Sequence, residues 1–160
     1  MPSHPEHPPE WIDAAPVRVE QRIEIDAPVE AVWARIADHE TWPEWFAALD
    51  RVEVVGRGSG VGGGRRVTAA RLPVDEVFTA WDENEHFAFA IVRSKLPILQ
   101  AMAESVRLEE TDNGGCRVIY VQGLEARRGF GRVLGAVSRR LDRDLKAGLD
   151  ALKQTVESTN

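Results

Sequence analysis

Seven apolar residues near the C-terminus constrain this chain more than any other feature. Leu134, Val137, Leu141, Leu145, Leu149, Leu152 and Val156 recur at steps of three or four, which places them on one face of an α-helix. The spacing predicts a helix over 131–156, roughly 40 Å long at about 1.5 Å per residue. Arg139, Arg140, Arg143, Asp144, Lys146, Asp150 and Lys153 occupy its other face. A stripe of that length needs an apolar surface of matching length to cover it. Residues 47–125 read almost wholly as strand and turn, so that surface is a sheet. One long helix across one curved antiparallel sheet is the expected architecture, and what fills the space between them is the functional question.

The rest of the chain supplies the sheet. Val17, Val19, Gln21, Ile23 and Ile25 alternate with charged residues, a period-two strand with one buried face. Asp26-Ala27-Pro28 starts a helix with Pro28 at its first position and Glu30 in its first turn. Val29, Val32, Trp33 and Ile36 form its apolar face, and it stops near Asp38. Residues 41–46 predict a second short helix capped by Thr41. Strands follow at 50–55, 65–72, 74–82, 86–94, 102–110 and 116–124, linked by turn-like segments such as Asp112-Asn113-Gly114-Gly115. Leu96-Pro97-Ile98-Leu99 breaks off the fifth strand and reads as a loop at the mouth of the sheet. The fold class is therefore α+β: a seven-stranded antiparallel meander, two short helices after the first strand, and the long helix. Residues 1–16 hold five of the nine prolines and read as a flexible tail, ahead of a single domain over 17–157.

Composition removes several functions. With 160 residues and 43% hydrophobic content the chain supports one soluble domain. No apolar run approaches the roughly 18 residues that span a membrane, and the N-terminus lacks the regions of a secretion signal. A net charge of −6 argues against a nucleic-acid partner. The one basic cluster, Arg127, Arg128, Arg132, Arg139, Arg140 and Arg143, reads as a solvated helix face, with an anionic ligand or lipid surface as the alternative. A single cysteine, Cys116, offers neither a disulfide framework nor a structural zinc site, and the expected compartment is the reducing cytoplasm. His4, His7, His39 and His86 are not spaced to share a helix face, so no metal and no cofactor is expected. Gly58, Gly60 and Gly63 satisfy G-x-G-x-x-G, but an extended segment follows instead of a helix, which makes this a hairpin loop and not a dinucleotide site.

The segments Ile23-Glu24-Ile25-Asp26-Ala27-Pro28-Val29-Glu30-Ala31-Val32-Trp33 and Trp42-Pro43-Glu44-Trp45, with Glu76-Val77-Phe78-Thr79-Ala80-Trp81-Asp82 and the terminal Leu149-Asp150-Ala151-Leu152-Lys153, resemble the START-like (SRPBCC) superfamily. Within it the chain resembles the polyketide cyclase/dehydrase and lipid-transport group, over about residues 17–157. The resemblance implies a helix-grip fold enclosing an elongated apolar cavity. It does not fix an activity, since relatives include carriers, aromatase/cyclases and proteins that bind other proteins.

Strand parity nominates the side chains that face such a cavity. If Val67 points inward, so do Ala69 and Arg71. Phe87, Phe89 and Ile91 bring Arg93. Val106 and Leu108 bring Glu104, and Val118 brings Tyr120 and Gln122. Trp33 and Phe46 come from the short helices, and Leu134, Val137 and Leu141 from the long one. A mostly apolar wall with a few polar groups is how small-molecule sites are built. Arg71, Arg93 and Glu104 are the expected polar anchors, and Glu104, Tyr120 and Arg71 the residues able to move a proton. The leading expectation is binding of a hydrophobic or aromatic small molecule such as a lipid, quinone or polyketide-like compound. A cyclase or dehydratase using the same cavity is the second, and an interaction module, pairing with another protein or a second copy of itself, the third.

Overall fold

The computed structural model describes residues 1–159. Strand β1 (Val17–Ile25) leads into helix α1 (Val29–Ala37) and a 3-10 turn at His39–Glu44. Strands β2 (Leu49–Val55), β3 (Gly64–Ala69), β4 (Leu72–Asp82), β5 (His86–Ser94), β6 (Leu99–Glu110) and β7 (Cys116–Ala126) follow, and helix α2 (Leu134–Thr159) ends the chain. The seven strands form one sheet in the order β1-β7-β6-β5-β4-β3-β2, every pair antiparallel. Strands β2 to β7 are a meander, and β1 closes onto β7, so the chain's first and second strands are the two edges.

Helix α2 seats its C-terminal half. Leu145, Leu149, Leu152 and Val156 are buried, and Gly148 lies so close to Phe46 that a Cβ there would meet the ring at 3.0 Å. Toward its start the same stripe is only half-buried at Leu134, Val137 and Leu141. The helix is therefore anchored at one end and overhangs the concave face of the sheet at the other. The 3-10 turn is fixed from within: the Trp42 indole N–H donates to Ile36 O at 2.8 Å, and Trp42 packs on Trp45 and Phe46. It begins at His39, two residues before the expected start, and Pro28 sits at the N-cap of α1 instead of its first turn.

Three details of the sheet depart from simple alternation. The β3–β4 turn falls at Ala70 and Arg71, both at positive φ (50° and 65°), and not at Pro73, which pairs with Thr68 inside the ladder. A two-residue hairpin turn requires that geometry at both positions. One bulge interrupts the β4–β5 ladder beside Val92 and another at Thr79, each reversing which face the following side chains take. The ladder between β5 and β6 runs only from His86 to Ala90 on the first strand, and beyond it the two strands separate.

The expected mobile tail instead fills that gap and covers the outer face. Ser3 bridges to Arg93, His4 N–H donates to Val92 O, and Ser94 N–H donates to Pro2 O. The buried His4 ring spans the split, contacting Ser94 Oγ at 2.7 Å and Gln100 O at 3.1 Å. Further along, the 3-10 turn at Pro9–Ala14 places Ile12 against Ala90 and Ala103. Gly123 admits this contact, because a Cβ there would meet Ile12 Cα at 3.1 Å. Small residues on the outer face make a seat that a proline-rich composition does not advertise.

Candidate functional site

Under the overhanging part of α2 the concave face leaves a cavity of about 150 Å³. Its walls are apolar: Val67, Val74, Ile91, Met102 and Leu141 with the rings of Trp42, Phe46 and Phe89. Leu96, in the short loop between β5 and β6, stands at its rim. One end is polar and is made by Arg65, Glu76, Glu104, Tyr120 and Gln122.

These five side chains come from four strands that each turn the same face inward. Arg65 precedes Val67 by two residues on β3, and Glu76 lies between the buried Val74 and Phe78 on β4. In the β6–β7 ladder Glu104 pairs with Gln122 and Val106 with Tyr120. Arg65 Nε donates to Glu76 Oε2 at 2.5 Å, with both side chains almost wholly buried. The guanidinium stacks over Trp42 at 4.0 Å and Phe89 at 4.6 Å from the ring centres, which shields the charge with π-faces as it leaves water. Its Nη1 donates to His39 Nδ1 at 3.2 Å, and His39 Nε2 donates to Gly58 O at 2.9 Å. That pattern requires a neutral imidazole with its proton on Nε2. Burial, reinforced by the Arg65 charge, holds the His39 pKa down at about 3. Gly58 belongs to the glycine-rich β2–β3 loop, so this loop is tied to the polar end through His39. Its Gly63 is packed so closely that a Cβ would meet Arg57 O at 2.7 Å.

Glu104 is the second centre. Tyr120 Oη donates to its Oε2 at 2.5 Å and Gln122 Nε2 donates to the same oxygen at 3.2 Å. Burial pushes the Glu104 carboxyl up to about 7, and the nearby Glu76 charge adds to the rise. The hydrogen bonds from Tyr120 and Gln122 and the Arg65 charge hold it from going further. Burial and the Glu104 carboxylate raise the Tyr120 hydroxyl well above its ordinary range, so it stays protonated. The arrangement is a carboxyl able to change charge near neutral pH, held by a phenol that cannot. Among the described residues no three His, Cys, Asp or Glu side chains converge as metal ligands would.

Of the residues nominated from the sequence, Phe46, Val67, Phe89, Glu104, Tyr120 and Leu141 line the cavity. Arg71 does not: it sits in the β3–β4 turn, exposed, with its backbone N–H on Asp50 Oδ2. Arg93 does not either. The bulge beside Val92 turns it outward, 3.8 Å from Asp75. Trp33 is buried away from the cavity, edge-on to Trp81 with ring centres 5.2 Å apart. Val106 is core packing, and Leu134 and Val137 pack on the core without reaching the cavity wall. Arg65 and Glu76 were missed, although the alternation that gave Val67 also gives Arg65, and Val74 with Phe78 gives Glu76. His39 carries no signal of this kind, because only the path of the glycine-rich loop brings it to Arg65.

A sheet wrapped on one long helix, with an apolar cavity between them, defines the helix-grip class. The chain belongs to the family described as polyketide cyclase/dehydrase and lipid transport, which matches residues 16–157. Among solved structures it is similar to a START superfamily protein from Mycobacterium smegmatis, with a TM-score of 0.75 and 14% identity over 90% of this chain and 99% of that one. It is also similar to the Zhui aromatase/cyclase from Streptomyces sp. R1128, with a TM-score of 0.70 and 19% identity over 88% of this chain and 93% of that one. At these identities the likeness is one of fold. No curated protein matches the chain. No described helix is long and apolar enough to cross a membrane.

Proposed function

We propose that the chain binds a hydrophobic or aromatic small molecule in the cavity between its sheet and α2. The carrying observation is the cavity itself: an apolar wall closed at one end by buried, mutually paired polar groups. A folded core without a ligand to orient has little reason to keep two glutamates and an arginine there, since burying such charges is costly. The volume sets the scale. About 150 Å³ lies below the roughly 300–1,000 Å³ of most ligand pockets, and a dry apolar cavity of about that size holds one benzene ring. One ring fits as the cavity stands. A larger ligand requires the half-buried start of α2 and the Leu96 loop to move apart.

The test is native mass spectrometry of the protein incubated with neutral aromatics of one to three rings, beside an Ala69→Trp variant. Ala69 lines the cavity and is only partly buried, so an indole there blocks the space without crowding the core. A one-to-one adduct that the variant loses supports the reading. Adducts that persist in the variant, or none with any compound, refute it.

One observation favours a second reading, a cyclase or dehydratase on a polyketide-like substrate. Glu104, poised near pH 7 and 2.5 Å from Tyr120, is suited to take and return a proton. In that case Glu104→Gln abolishes turnover and keeps binding, and full activity in the variant excludes this role.

A further inference from the structure

The polar end of the cavity also specifies the head group of what enters it, an inference that rests on the small-molecule reading above. Each side chain of the cluster is paired with at least one other. Arg65 is committed to Glu76 and His39. Tyr120 Oη and Gln122 Nε2 both donate to Glu104 Oε2. Gln122 Oε1, by contrast, is buried and has no hydrogen-bond partner among the described residues. The residue is only 4% exposed and lines the cavity. A buried carbonyl oxygen without a donor is costly, so a ligand that brings a donor gains what the empty site lacks.

The charge count points the same way. The lining holds one arginine against two glutamates, and Glu76 already neutralises that arginine. An anion entering here adds a third acidic group beside a single arginine that already pairs with Glu76. Of the anchors expected from the sequence, Arg71 and Arg93 lie outside the cavity, and the arginine that does line it, Arg65, is paired with Glu76.

We infer that the cavity selects an uncharged apolar ring compound carrying a hydroxyl or N–H donor, whose hydrogen goes to Gln122 Oε1, and that it discriminates against carboxylates. The ring lies between Trp42, Phe89 and the aliphatic wall. The donor takes the polar end. Alkylation of the hydroxyl removes the donor.

Calorimetric titration with three matched probes tests this: 4-ethylphenol, 4-ethylanisole and 4-ethylbenzoate. The phenol should bind about tenfold more tightly than the anisole, the usual scale for one buried hydrogen bond, and the benzoate more weakly than both. In Gln122→Met the phenol and anisole should bind within about twofold of each other. Retained anisole binding there reports that the variant is folded. If the anisole or the benzoate matches the phenol in the native protein, the head-group assignment is wrong while cavity binding stands. A phenol preference that survives unchanged in Gln122→Met also overturns it. If none of the three binds, the small-molecule reading itself falls.

Discussion

Replacing Glu104 by glutamine gives the sharpest test of the polar end. In the folded protein the Glu104 carboxyl titrates near 7, against 4.5 for an ordinary glutamate. Between those values the folded protein holds a proton that the unfolded chain releases. The linked stability is therefore fully present below about 4.5 and is lost as pH rises through 7. At about 1.4 kcal/mol for each pH unit, that interval amounts to roughly 3 kcal/mol. His39 works in the opposite direction. Its pKa is about 3 in place of 6.5, so the folded protein lacks a proton that the unfolded chain binds, and the stability it contributes is lost as pH falls from 6.5 toward 3. From 4.5 to 6.5 the contributions of these two groups oppose each other. Glutamine cannot titrate but keeps an oxygen for Tyr120 and Gln122. Urea unfolding followed by tryptophan fluorescence should find Glu104→Gln gaining roughly 3 kcal/mol on the native protein between pH 4.5 and 8. The difference between the two proteins, in which the His39 contribution drops out, carries the test. A constant gap between the two proteins across that range would mean that Glu104 is not held as argued.

Other consequences are as concrete. Arg65→Met leaves Glu76 buried without its partner and should cost about 3–5 kcal/mol, whereas Arg65→Met with Glu76→Leu removes both charges and should recover most of that; urea midpoints decide, and a double variant as unstable as the single one counts against the pair. His4→Ala removes the contacts to Ser94 Oγ and Gln100 O that hold the N-terminal segment in the β5–β6 gap. It should cost about 1–3 kcal/mol and speed amide exchange at Ser94 and Leu96. Unchanged stability and exchange would mean that the segment does not clasp the sheet.

Much of this was legible in the chain because its patterns are long. Twenty-odd residues of α2 at helical spacing and six strands of alternating character leave little choice of architecture. Parity worked where the ladder is regular, which is why Glu104, Tyr120 and Gln122 were found together on β6 and β7. It failed at Arg93, because one extra residue, Val92, exchanges the faces of β5. It failed at Arg71 through direction: the alternation was followed forward from Val67 into a turn, while the buried arginine lay two residues back. Trp33 misled because burial and cavity lining look alike in sequence. The N-terminal segment misled because its seat is built from Ala90, Ala103 and Gly123, three small residues distant in sequence whose side chains give no local signal.

A ring compound should enter the space between Trp42, Phe89, Met102 and Leu141. Methyl NMR of the protein with labelled Met, Leu and Val, titrated with 4-ethylphenol, addresses it directly. Saturable shifts are expected at Met102, Leu96, Leu141, Val67 and Val74, whose side chains line the cavity, with the exposed Val54, Val55 and Val61 unmoved. Shifts at the exposed valines alone, or none at saturating probe, would contradict it.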